Sequence, residues 1–274
     1  MMNLDDALPL LAREPTATLD AAELALCLAR EEYPDVDVEA YLSELAALAH
    51  DVRPRLRGGL SARVQALCRY LFHEMGFCGN TQAYYDPRNS YFNEVLDRRT
   101  GIPLTLSLVA MTIGQRAGLL VEGVGLPGHF VVKVVEGSRE VLFDPFHEGR
   151  LLAPHECEIL VEQVTGSPFE ATPEALAAAP LQLIVVRLLT NLKAIYLRTS
   201  DFGRGVRIIE RLRQLLPDDP LQQRDLGATL LHAGRPGRAV DYLEAYLQAV
   251  PDAEDEEAVQ QLLRKARGEV ARWN

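Results

Sequence analysis

A chain of 274 residues with 48% apolar and 24% charged residues is long enough for two domains and a real core, and its composition is that of a soluble globular protein. A net charge of −11 argues against a general binder of nucleic acid or anionic membrane. Cys27, Cys68, Cys78 and Cys157 stand far apart with no Cys-x-x-Cys pair, as expected of reduced thiols in a cytoplasmic protein; the acidic start lacks the basic segment of a signal peptide, and no apolar run would span a bilayer.

Residues 1–60 read as helices. Asp20 and Glu23 resemble a capping box, and Asp37 is placed to cap a second helix whose Tyr41, Leu42, Leu45, Leu48 and Ala49 share one face. Pro54 and the Gly58-Gly59 pair punctuate the next turn, where Arg53, Arg55 and Arg57 read as a solvated loop. Ser61 opens a helix through Val64, Leu67, Leu71 and Met75 that stops at Gly76. Phe77 to Asn80 reads as a loop, and Asn89 or Ser90 as the cap of a further short helix before Gly101.

The stretch from Gly101 to Phe146 carries the chemistry. Pro103 suits the first position of a helix that ends at Gly118. Val121–Leu126, Phe130–Val135 and Glu140–Phe143 are rich in strand formers, and Gly137-Ser138 suits a two-residue hairpin turn. A turn centred there makes paired positions add to 275, so that His129 and Asp144 share a face as diagonal neighbours, within reach of a hydrogen bond. A three-residue loop would put them on opposite faces. A His oriented by a carboxylate is two-thirds of a nucleophilic triad; the third member belongs at the N-terminus of the helix, where no Cys is found.

Pro154 starts a helix to Val164, and Thr172-Pro173 is expected to start another. Ala175–Pro180 is the candidate boundary, giving domains 1–180 and 181–274. Beyond it the pattern is helical throughout, near 182–199, 203–216, 220–233, 236–249 and 254–272. Leu215-Leu216-Pro217-Asp218 recurs 34 residues later as Ala249-Val250-Pro251-Asp252, the tetratricopeptide period, with Gly205 and Ala239 at equivalent packing positions. The stripe of Arg204, Arg207 and Arg211 reads as a solvated face, with an acidic-partner site as the alternative.

Four motifs in order, Asn89-Ser90-Tyr91-Phe92, Gly101 to Ser107, Leu126 to Phe130 and Asp144-Pro145-Phe146, resemble the SirB-type family, in which a transglutaminase-like domain is fused to tetratricopeptide repeats. The resemblance implies an α+β papain-like domain, helices packed on a small antiparallel sheet, followed by an all-α repeat array. It also implies that His129 and Asp144 match the His and Asp of the transglutaminase-like triad, with Pro103 where active members carry the nucleophilic Cys. Proline supplies no nucleophile, so thiol chemistry from that position is excluded. The reading is then a catalytically degenerate domain that binds a peptide or protein. The alternative is an atypical peptidase or acyltransferase using Thr105, Ser107 or Cys78 with His129, although a hydroxyl needs far more activation than a thiol. The third reading is a purely structural scaffold whose cleft is filled by its own side chains, with His129 a satisfied core residue holding Asp144 or a backbone carbonyl. No phosphate loop or other cofactor motif is present, and His129, His147, His155 and Asp144 lack metal-ligand spacing, so neither cofactor nor metal is expected.

Overall fold

The computed structural model describes residues 2–272. They form two compact units: one takes the segment ending at Ala7 with Thr16–Leu188, the other Leu8–Pro15 with the chain from Leu189 onward. Helices α1 (Leu4–Arg13) and α8 (Leu181–Arg198) each give residues to both. The first unit also holds α2 (Ala21–Arg30), α3 (Val38–Val52), α4 (Leu60–Cys68), β1 (Cys78–Gly79), α5 (Phe92–Arg98), β2 (Thr100–Gly101), α6 (Pro103–Arg116), β3 (Leu120–Leu126), β4 (His129–Glu136), β5 (Arg139–Asp144), β6 (Arg150–Leu152) and α7 (Pro154–Thr165).

Helix α6 is buried on every side from Pro103 to Gly114, which is why its sequence shows no amphipathic stripe. Pro103 sits at its first position, and the backbone N–H of Ile102 is satisfied by Thr105 Oγ1 at 3.1 Å instead of by a polar cap residue. The helix ends at Arg116, and Gly118 takes the left-handed conformation (φ +99°) that turns the chain into β3. One face of α6 lies on β3 and β4; α2, α3 and α5 pack on it as well. The approach to β3 is close: a Cβ on Gly114 would stand 2.5 Å from Val121 Cγ2.

The sheet is antiparallel in the order β3-β4-β5-β6. Pairs Val132–Phe143, Val135–Glu140 and Glu136–Arg139 each add to 275, so the expected two-residue turn is present, with Gly137 at φ +61°. Strand β6 was not expected. It is set on β5 by a tight reversal through Glu148 (φ 55°) and Gly149 (φ 75°), and a Cβ on Gly149 would lie 2.6 Å from Cys68 Cβ.

Four expectations change. The helix from Ser61 is not uniform: α4 ends at Cys68 and Arg69–Glu74 is π-helical, with Met75 N bonded to Tyr70 O. The wider turn lets three consecutive side chains, Tyr70, Leu71 and Phe72, all be buried. Phe77–Asn80 is not simply a loop, since β1 pairs in parallel with β2, Cys78 opposite Thr100 and Gly79 opposite Gly101. The short helix starts only at Phe92, because Asp86 caps a 3₁₀ turn over Pro87–Asn89. Thr172-Pro173 makes a single turn, Leu176 N to Thr172 O; Ala179 N then bonds Gly123 O, so the segment is drawn onto β3. The arginines near Pro54 have partners: Arg53 bonds Arg116 O, Arg55 pairs with Glu74, and Arg57 bonds Pro54 O.

The second unit continues with α9 (Phe202–Leu215), α10 (Pro220–His232), α11 (Pro236–Ala249) and α12 (Glu256–Ala271). Both bounds of α9 map onto those of α11 with a shift of 34. The small residues permit the packing: Gly205 faces Thr229 Cγ2, and a Cβ on Gly227 would lie 2.8 Å from Leu243 Cγ. Val206, Ile209, Leu226, Leu230, Ala239 and Ala266 form one continuous core through the array. On the arginine stripe, Arg204 pairs with Asp201 and Arg211 donates to Gln214. Among the described residues, no helix is long and apolar enough to cross a membrane.

Candidate functional site

The site is assembled by two strand ends. Asp144 closes β5, and Pro145 after it forces a 3₁₀ turn over Pro145–His147. Asp144 caps that turn: Oδ1 accepts from the backbone N–H of Phe146 at 2.9 Å and of His147 at 3.4 Å. The carboxylate is thereby pinned, and Oδ2 is left for side chains. Two imidazoles use it, His129 Nε2 at 2.8 Å and His147 Nδ1 at 2.7 Å. An ionised carboxylate only accepts, so the proton lies on Nε2 of His129 and on Nδ1 of His147. The His129 side chain is 5% exposed, Asp144 2% and His147 52%. Burial pushes the Asp144 carboxyl up, but the two imidazole hydrogen bonds outweigh it and hold the group well below the usual carboxylate range. The bond to Asp144 in turn raises the pKa of His147, against its partial burial.

Aromatic rings wall the pair. Phe146 stands edge-on to His129 with centroids 6.1 Å apart, Tyr84 stands edge-on to Phe146 at 6.1 Å, and the His147 ring stacks on His129 at 5.8 Å and 25°. Gly79 permits this, since a Cβ there would be 2.7 Å from the Phe146 ring. On the other side, Arg187 donates to the carbonyls of Leu126 at 2.9 Å and His129 at 2.7 Å and lies over the Phe130 ring. It clamps both ends of the Leu126–His129 turn and so fixes where the His129 backbone stands.

The other expected participants are elsewhere employed. Thr105 Oγ1 donates to Asn89 O at 2.8 Å while accepting from Ile102 N–H, so it closes the entrance of α6. Ser107 is fully buried and faces Phe130 O at 3.4 Å. Neither hydroxyl is hydrogen-bonded to His129. Pro103 is buried. Cys78 is exposed and stands 3.7 Å from Thr100 Oγ1, which puts it beside the entrance of α6 and not on a remote loop. Asp144 and His147 line a cavity of about 450 Å³ with Arg150, His155, Glu156 and Ile159 of β6 and α7.

Residues 39–190 match the transglutaminase-like superfamily and residues 192–264 the tetratricopeptide repeat. A UPF0162 protein of Xylella fastidiosa is 34% identical over 254 residues, 91% of this chain and 90% of that protein. The chain belongs to the UPF0162 family. A UPF0162 protein of Vibrio cholerae is 29% identical over 83% of this chain and 82% of its own length. Human F-box only protein 21 is 34% identical over 108 residues, which are 36% of this chain and 17% of that protein. The UPF0162 chain therefore has the α+β transglutaminase-like domain and the helical repeats that the SirB-type motifs implied. Repeats of this kind serve protein–protein interaction in general.

Two contributors to this UPF0162 site were missed by the sequence reading. His147 entered only in a metal set dismissed for its spacing, not as a partner of Asp144. The signal was the Asp-Pro-Phe-His string: an Asp cap followed by Pro returns the side chain three residues on to the capping carboxylate. Arg187 had no local signal, being 58 residues from His129.

Proposed function

We propose that the transglutaminase-like domain of this protein is catalytically degenerate and serves, with the repeats, as a peptide- or protein-binding module of the cytoplasm, without nucleic-acid or membrane partners. The observation that carries the reading is the state of the α6 entrance. By the SirB-type resemblance Pro103 stands where active transglutaminase-like enzymes carry the nucleophile, and Thr105, the nearest hydroxyl on α6, has its donor and its acceptor committed to backbone. The His129–Asp144 pair is intact, yet neither Thr105 nor Ser107 is hydrogen-bonded to His129. A net charge of −11 disfavours a polyanionic partner.

The test is turnover by purified protein on peptide libraries, scored for hydrolysis and for amine incorporation. No turnover is expected, together with measurable retention of peptide or protein ligands. Turnover that His129→Ala abolishes would overturn the reading.

One observation favours a second reading. Cys78 pairs opposite Thr100 at the α6 entrance and is exposed, so a thiol does stand near the place the pattern reserves for one. If Cys78 were the nucleophile, a peptidyl or acyl adduct would form on it and Cys78→Ser would remove both adduct and turnover.

A further inference from the structure

The geometry points to a divalent transition-metal site built from His129 Nε2, Asp144 Oδ2 and His147 Nδ1. These three atoms all lie within 4.8 Å of one another, and they come from the start of β4, the end of β5 and the 3₁₀ turn that Asp144 caps. Bonds of about 2.0–2.2 Å to one ion place neighbouring donors roughly 2.9–3.4 Å apart for angles between a right angle and the tetrahedral value. The two nitrogens now stand 2.8 and 2.7 Å from Oδ2, so these two edges need open by only a few tenths of an ångström, while the nitrogens, within 4.8 Å of each other, turn toward a shared ion. The half-exposed His147 ring has room to turn, and the Arg187 clamp holds the backbone of His129 while its ring reorients.

Three further observations support a cation. Oδ1 of Asp144 is held by two backbone N–H groups, the outer contact that orients a ligating carboxylate. The cavity lined by Asp144, His147 and His155 gives solvent access and room for further ligands on the open side of the ion. Finally, His155 brings a further imidazole to the cavity that Asp144 and His147 line. Two imidazoles and one carboxylate suit zinc and its neighbours, not magnesium or calcium. Arg150, on the same cavity, is paired with Glu156, which tempers its repulsion of a cation.

Binding conserves the ligand set. Each imidazole ligates as a neutral ring, its proton moving to the outer nitrogen, Nδ1 of His129 and Nε2 of His147; a doubly protonated His147 gives up one proton to solvent. Three protein ligands leave at least one position for water or for a donor from a bound partner.

The test uses the full chain freed of metal by chelator and titrated calorimetrically with zinc chloride, with cobalt(II) absorption as a second readout. One equivalent of zinc is expected to bind. His147→Ala, at a half-exposed position, should leave folding intact and weaken zinc binding by at least about 10-fold. His73→Ala should change nothing. Cobalt should give ligand-field bands without the strong ultraviolet band of a thiolate ligand. The site is refuted if the wild-type chain binds no zinc, if His147→Ala leaves affinity unchanged, or if a thiolate band shows that the ion sits on a cysteine.

Discussion

At the scale of single residues, Thr105 separates a catalytic from a structural hydroxyl. Its oxygen donates to Asn89 O and accepts from Ile102 N–H, both within a buried setting. Thr105→Val keeps the shape and removes both bonds, leaving a buried donor and a buried acceptor unsatisfied, a loss of about 1–3 kcal/mol. The expected outcome is a lower urea midpoint at unchanged slope, since the surface exposed on unfolding hardly changes. Ser107→Ala should cost less than about 1 kcal/mol, because a contact at 3.4 Å is a weak hydrogen bond. If Thr105→Val were neutral, the hydroxyl would not be structurally committed and the case against it as a nucleophile would weaken.

At the scale of elements, helix α6 and the sheet beneath it set each other's positions through glycine. A Gly→Ala change inside a helix ordinarily gains up to about 1 kcal/mol. At Gly114 the new Cβ would stand 2.5 Å from Val121 Cγ2, and Val121 is fully buried and β-branched, with little freedom to move. Overpacking of this kind costs about 1–3 kcal/mol, so Gly114→Ala should destabilise. Gly268→Ala in α12, where a Cβ meets nothing within 4 Å, should stabilise. Opposite signs in paired denaturation curves are the check; the same sign at both positions would refute the packing argument. The legibility of the sequence divides along the same line. The hairpin register and the diagonal placing of His129 and Asp144 followed from Gly137-Ser138 and strand alternation, because both are local rules. The parallel pairing of Cys78 with Thr100, the π-helical turn at Arg69–Glu74 and the clamp by Arg187 are decided by partners distant in sequence, and no local pattern announces them. His147 lies between: its meeting with Asp144 is local, but its sharing of one oxygen with His129 requires the finished sheet.

At the scale of the whole molecule, the second unit combines a short run of repeats with a segment from far away in the chain. Stacked helix pairs bury their apolar faces only against neighbours, and about three repeats are ordinarily needed for a stable array. Among the described residues the 34-residue shift occurs once, α9 to α11, with α12 packed on α11. The N-terminal segment Leu8–Pro15 belongs to the same compact unit, although more than 170 residues precede Leu189 in the intervening chain. Leu8 and Leu11 of that segment are fully buried. Their burial adds apolar surface to the unit that holds the array. Replacing a buried leucine by alanine costs about 2–5 kcal/mol. Leu8→Ala and Leu11→Ala should therefore each accelerate amide hydrogen exchange in α9, α10 and α11, where protection reports the stability of the array. Exchange in β3, β4 and β5 of the first unit should respond less. A rise confined to β3–β5, or no rise anywhere, would show that the segment does not support the array.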